Sequence, residues 1–177
     1  MWGKTHKTAV VLIPRVPVQP SIQEIRERHD RNFLRWMPHI TLVYPFVPRE
    51  HFGAVLPMLA RVAAEMSVFS VLFSEFGLFR HRRWSTLFLE PTPPAEIGRL
   101  HNLLVGAFPD YADTGRFRGG FRPHLSVGQF PKESAESERN RLGGAWCPVD
   151  CAFEEMSLIY RGPETEDRFV VAETFRF

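Results

Sequence analysis

Two stretches of the chain share a five-residue pattern, Pro38-His39-Ile40-Thr41-Leu42 and Pro123-His124-Leu125-Ser126-Val127, set 85 residues apart. Each reads proline, histidine, apolar, hydroxyl, apolar. Both copies are expected to open strands, in which successive side chains alternate faces. His39 and Thr41 then share one face while Ile40 and Leu42 share the other, and His124 and Ser126 stand likewise against Leu125 and Val127. The apolar faces pack inward under helices. The polar faces each present an imidazole and a hydroxyl to a cleft.

Side by side, two such strands supply the parts of phosphodiester transfer. A neutral imidazole takes a proton from the attacking water or hydroxyl, and an imidazolium protonates the leaving oxygen. The hydroxyls donate to the non-bridging oxygens, where negative charge accumulates. Histidine serves both roles because its ordinary pKa lies near neutrality. The scheme needs no metal or other cofactor, and no Asp/Glu cluster is placed to hold a metal. A third near-copy, His6-Lys7-Thr8, lacks the proline and has lysine at the apolar position, and is read as coincidence. Three other readings compete. The cleft could bind a nucleotide or RNA end with little turnover, the histidines could be metal ligands lacking an evident third partner, or they could be surface residues at strand starts.

The elements that must position these residues are legible in outline. Lys7–Ile13 is an apolar run closed by Pro14, read as a buried strand. Ser21-Ile22-Gln23-Glu24 has the form of a capping box, with Ser21 as N-cap. The helix it opens, with Ile22, Ile25, His29 and Phe33 on one face, must end before Pro38. His39–Tyr44 is a strand. Residues 49–66 are helical, kinked or split at Pro57. Residues 68–79 and 84–90 alternate and form an antiparallel pair across the Arg80-His81-Arg82-Arg83 turn. Pro94–Phe108 is a helix, Pro109–Gly120 a loop, His124–Phe130 a strand, and Lys132–Leu142 a helix ending at Gly143-Gly144. Two strands, roughly 150–160 and 167–177, close the chain.

Composition bounds the rest. A chain of 177 residues with 44% apolar residues and 16 phenylalanines can bury one core. Every apolar run is interrupted well short of a membrane span, the amino terminus lacks a secretory pattern, and a cytoplasmic location with no membrane partner is expected. Cys147 and Cys151 are read as reduced thiols. Net charge is only +2, yet 19 of the 22 basic residues are arginine, which fits phosphate and a GC-rich genome equally.

The twin signatures His39-Ile-Thr41-Leu and His124-Leu-Ser126-Val resemble those of the two-histidine (2H) phosphoesterase superfamily. The preceding prolines and the flanking Tyr44-Pro45-Phe46 and Gly128-Gln129-Phe130 strengthen the likeness to its bacterial 2′-5′ RNA ligase and cyclic phosphodiesterase branch. That resemblance implies an α+β fold: a single domain over residues 1–177 with two pseudo-symmetric lobes. It would have two mainly antiparallel sheets, helices outside and a central cleft. It implies His39 and His124 as catalytic residues, with His39 favoured as acid and His124 as base, and Thr41 and Ser126 as phosphate-binding. It implies a hydrolase acting on 2′,3′-cyclic phosphates or 2′-5′ linkages of RNA ends or nucleotides, with the reverse 2′-5′ ligation left open. A monomer is expected.

Further positions carry two readings each. Arg122 would share the His124 face and contact phosphate or ribose, or be a loop cation. The 110–120 loop, with Arg116 and Arg118, could close over substrate or merely connect. The Arg80–Arg83 turn with Trp84 could engage an RNA strand or be a solvated hairpin tip. Tyr44 and Gln129 alternate away from the histidine face. Phe46 and Phe130 are core residues by default, or border the cleft.

Overall fold

The computed structural model describes residues 2–115, 119–164 and 166–177. The strands are β1 (Thr8–Leu12), β2 (Ile40–Val43), β3 (Phe69–Arg80), β4 (Trp84–Thr92) and β5 (Leu125–Pro131), then β6 (Val149–Phe153), β7 (Glu155–Tyr160) and β8 (Val170–Arg176). The helices are α1 (Gln19–His29), α2 (Phe52–Ala64), α3 (Ala95–Ala107) and α4 (Ala135–Ala145).

All strand pairings are antiparallel, in one eight-stranded sheet of order β6-β3-β4-β5-β2-β1-β7-β8. The expectation of two sheets is corrected: the halves β6-β3-β4-β5 and β2-β1-β7-β8 join through one paired position, Ile40 with Leu125. Those are the apolar residues directly after the two histidines.

All four helices feed one core. Ile22, Leu59, Leu100 and Ala135 pack with Ile40, Leu42, Leu125 and Val127 from the sheet. Burying these side chains contributes roughly 1.5–3 kcal/mol each for the larger ones. The opposite face holds a smaller apolar cluster of Ala9, Val11, Ile159 and Phe169, joined by Trp36 and Tyr44. Phe46 and Phe130 are buried in the main core, 0% and 6% exposed, and do not border the cleft.

Local signals were less dependable than patterning. Ser21 lies inside α1, whose N-cap is Val18, and no side-chain cap bond forms. The helix begins earlier because Pro20 sits in its first turn, where a missing N–H costs nothing. It ends at His29 rather than running toward Pro38, since the Asp30 side chain accepts the Asn32 N–H and turns the chain. α2 continues through Pro57, and α4 continues through both glycines to Ala145. The run 150–160 is two strands, parted at Glu154, which pair at separate places in the sheet with β3 and β1. Gly128 permits one close approach: a Cβ there would stand 2.7 Å from the His29 Cβ, so the end of α1 lies directly on β5.

Candidate active site

Both histidines are held in the same way. His39 Nδ1 donates to the Met37 carbonyl at 2.8 Å, and His124 Nδ1 donates to the Arg122 carbonyl at 2.8 Å. A carbonyl only accepts, so each ring carries its proton on Nδ1 and leaves Nε2 as a free acceptor. The proline before each histidine keeps the preceding backbone extended, which lets the ring fold back on the carbonyl two residues earlier.

The register of β2 and β5 then sets the four side chains. With Ile40 opposite Leu125, one antiparallel step each way puts Thr41 opposite His124 and His39 opposite Ser126. Directly opposed residues have Cβ atoms about 4.5–5.5 Å apart, and diagonal ones about 7–8 Å. Each imidazole therefore faces the other motif's hydroxyl, and the two imidazoles occupy one diagonal of a four-residue patch. Their proximity is felt electrostatically, since charge on His124 lowers the pKa of His39.

Each ring is also fixed laterally. Trp36 stacks on His39 with centroids 4.6 Å apart at 15°. Phe79 and Phe88 meet His124 edge-on at 4.7 and 5.5 Å. Burial pushes the His39 pKa down to about 4, helped by the charges of Arg26 and His124 and opposed by the Met37 bond. Burial likewise lowers His124, with the Arg122 guanidinium adding to the effect and the carbonyl bond opposing it. At neutral pH the unliganded site holds two neutral imidazoles.

Strict alternation fails just beyond each motif. Val11 pairs with Thr41 but Val10 with Val43, so Leu42 is an extra residue in β2. Phe88 pairs with Ser126 but Leu87 with Gly128, so Val127 is an extra residue in β5. These β-bulges fall three residues after each histidine and reverse the facing of the side chains beyond them. Gln129 and Tyr44 consequently return to the histidine side, correcting the expectation that both point away. Gln129 lines a cavity of about 560 Å³ together with His39, Ser126 and Thr86. Tyr44 meets Trp36 edge-on at 5.5 Å.

The end of α1 and the segment after it supply the residues that sequence reasoning missed. Arg26 and Asp30 form a buried ion pair at 2.8 Å, and Arg26 also donates to the Trp36 carbonyl at 2.8 Å. Gln129 donates to Asp30 and accepts the Arg31 N–H. This network seats Trp36 beside His39. Its one sequence signal was the Arg26/Asp30 spacing of four residues on a helix.

The remaining candidates divide. Arg122 does border His124, but its guanidinium is ion-paired with Glu90 and lies over the Phe88 ring at 5.0 Å. Thr8 is buried and donates to the Val47 carbonyl, away from the patch. Arg116 and Arg118 lie outside the described residues. No group of three or more His, Cys, Asp or Glu side chains among the described residues is set to hold a metal ion. Cys147 and Cys151 are both free thiols. No helix among the described residues is long and apolar enough to cross a membrane.

Residues 14–165 match the 2′-5′ RNA ligase superfamily. The chain belongs to that superfamily. Two bacterial relatives carry provisional phosphoesterase names. The one from Geobacillus kaustophilus is 29% identical over 125 residues, covering 70% of this chain and 69% of its own. That from Bacillus licheniformis is 24% identical over 155 residues, covering 85% of each. Among solved structures, E. coli LigT superposes with a TM-score of 0.66 at 17% identity over 98% of both chains. The Thermus thermophilus protein TT0787 gives 0.65 at 18% over 96% of this chain and 97% of its own. These structures share the α+β fold of this superfamily member.

Proposed function

We propose that this superfamily member is a metal-independent phosphoesterase that hydrolyses 2′,3′-cyclic phosphates to 2′-phosphates, or cleaves 2′-5′ linkages, of RNA or nucleotides. The carrying observation is the crossed arrangement in which each histidine, its Nε2 free, faces the hydroxyl of the other motif. The phosphorus sits between the imidazoles. One neutral imidazole takes a proton from water as the water oxygen bonds to phosphorus. The P–O3′ bond breaks as the other imidazole, protonated, gives its proton to O3′. Thr41 and Ser126 donate to the non-bridging oxygens. The two four-stranded halves are read as the pseudo-symmetric lobes of one domain, each contributing one histidine and one hydroxyl.

The anionic ligand accounts for the proton that the unliganded site lacks. Its negative charge raises both imidazole pKa values, so one ring can arrive protonated. E. coli LigT has been crystallised in complexes with 3′-AMP and with phosphate, which supports phosphate-bearing ligands for this cleft.

A panel of 2′,3′-cyclic nucleotides and 2′-5′ dinucleotides, with identification of the phosphate isomer formed, tests the reading. Turnover should persist in EDTA, and His39→Ala and His124→Ala should each lower it about a hundredfold or more. Undiminished turnover in both variants rejects the mechanism. Tight nucleotide binding with no product would instead identify a binding module.

A further inference from the structure

A third histidine lies buried outside the cleft and takes no part in the proposed proton transfers. α3 turns Ile97, Leu100, His101 and Leu104 into the core, and His101 is 3% exposed. An imidazole beside such leucines costs stability unless its N–H is used. His101 Nε2 lies 3.2 Å from the Thr114 hydroxyl, and that hydroxyl donates to the Leu42 carbonyl at 2.9 Å. A carbonyl only accepts and a hydroxyl has one proton to give, so Thr114 accepts from His101. The bonds therefore run one way, from His101 Nε2–H through Thr114 to Leu42. Nδ1 is then the bare nitrogen, and it has no hydrogen-bond partner among the described residues.

The far end of this chain of bonds lies at the active site. Leu42 is the surplus residue of the β2 bulge and follows Thr41 directly. A bulge leaves its extra residue out of the ladder and re-aims the side chains beside it. Here the Leu42 carbonyl is taken by Thr114. The imidazole is held in turn by Phe121, which stacks on it with centroids 3.7 Å apart at 29°. Phe121 directly precedes Arg122, whose carbonyl orients His124. One ring is thus linked to both motifs from the core side, without lining the cavity. Burial lowers its pKa to about 4, which keeps it a neutral donor at neutral pH.

We propose that His101 is a positioning residue for the catalytic patch: its Nε2–H, relayed by Thr114, holds the Leu42 carbonyl at the β2 bulge and so fixes the aim of the Thr41 hydroxyl. This rests on the proposed function and deepens it. His101 itself touches no substrate. A histidine that only packed the core would need no donor, and phenylalanine would serve as well in turnover.

The test compares kcat/KM for a 2′,3′-cyclic nucleotide among variants of this chain of bonds. Thr114→Val, which keeps the shape and removes the hydroxyl, should lower it about tenfold. His101→Phe, which keeps the stack on Phe121 and removes the donor, should do the same. His101→Gln, whose amide can donate to Thr114, should stay within about threefold of wild type. In a Thr41→Ala background, Thr114→Val should change kcat/KM by less than about twofold, because the bond acts through Thr41. A wild-type value in Thr114→Val overturns the proposal, as does an equal loss in His101→Gln and His101→Phe, or the full loss persisting in the Thr41→Ala background. Thr114→Val, alone and with Thr41→Ala, decides the matter where His101→Phe does not fold. Should wild type turn over no cyclic nucleotide, the catalytic reading fails, and calorimetry with adenosine 2′-phosphate applies the same comparisons to Kd. A wild type that also fails to bind overturns both.

Discussion

Carbonyl bonds to Nδ1 leave Nε2 of both His39 and His124 as the nitrogen the proposed mechanism would use, and the depressed pKa values would set its pH response. The proposed mechanism requires one ring charged and one neutral. With both free-protein pKa values below 6.5, that form is populated only on the acid side of 6.5 and disappears as pH rises through the higher of the two. A bell-shaped kcat/KM profile with its maximum below about pH 6.5 is expected, belonging to the coupled pair rather than to either residue. Bound phosphate raises both values, so the kcat profile should lie at higher pH; coincident profiles would contradict this. Acid and base are separable with a phosphodiester carrying a p-nitrophenolate leaving group, which needs no proton. The variant lacking the acid should recover most of its activity on that substrate, and the variant lacking the base should not. Equal defects in both variants would argue against divided roles.

Among the elements, the turn after α1 has consequences beyond its own stability. Arg26 ties the end of the helix to Asp30 and to the backbone of Trp36, which stacks on His39. Arg26→Leu leaves the Asp30 carboxylate buried without its cation and should cost about 3 kcal/mol. Thermal unfolding measures that loss, and kcat should fall with it as Trp36 loses its seat. A variant as stable as wild type would show the pair to be dispensable. None of this was legible beyond the spacing of Arg26 and Asp30. The twin motifs were legible because period-two patterning survives tertiary context, and they place four side chains on one face. Tyr44 and Gln129 were misread because a bulge leaves no fixed mark in sequence: Leu42 and Val127 are ordinary core residues, and only pairing with β1 and β4 shows them to be surplus. The single closing run at 150–160 failed for a related reason, since pattern cannot show where a strand changes partner at Glu154.

Across the whole molecule, the order of strands and helices came from apolar runs and prolines, whereas the way the halves join did not. That joint is one paired position, Ile40 with Leu125, lying under the patch where substrate is proposed to bind. A phosphate gripped by His39 and Thr41 on one side of the joint and by His124 and Ser126 on the other would cross-link the two halves. Amide exchange in β2 and β5 should slow markedly when a 2′-phosphate product is bound, while β3 and β8 change little; uniform protection would point to a general effect of ligand. The substrate would then act as a temporary rivet, and releasing product would mean loosening the protein at its own midline.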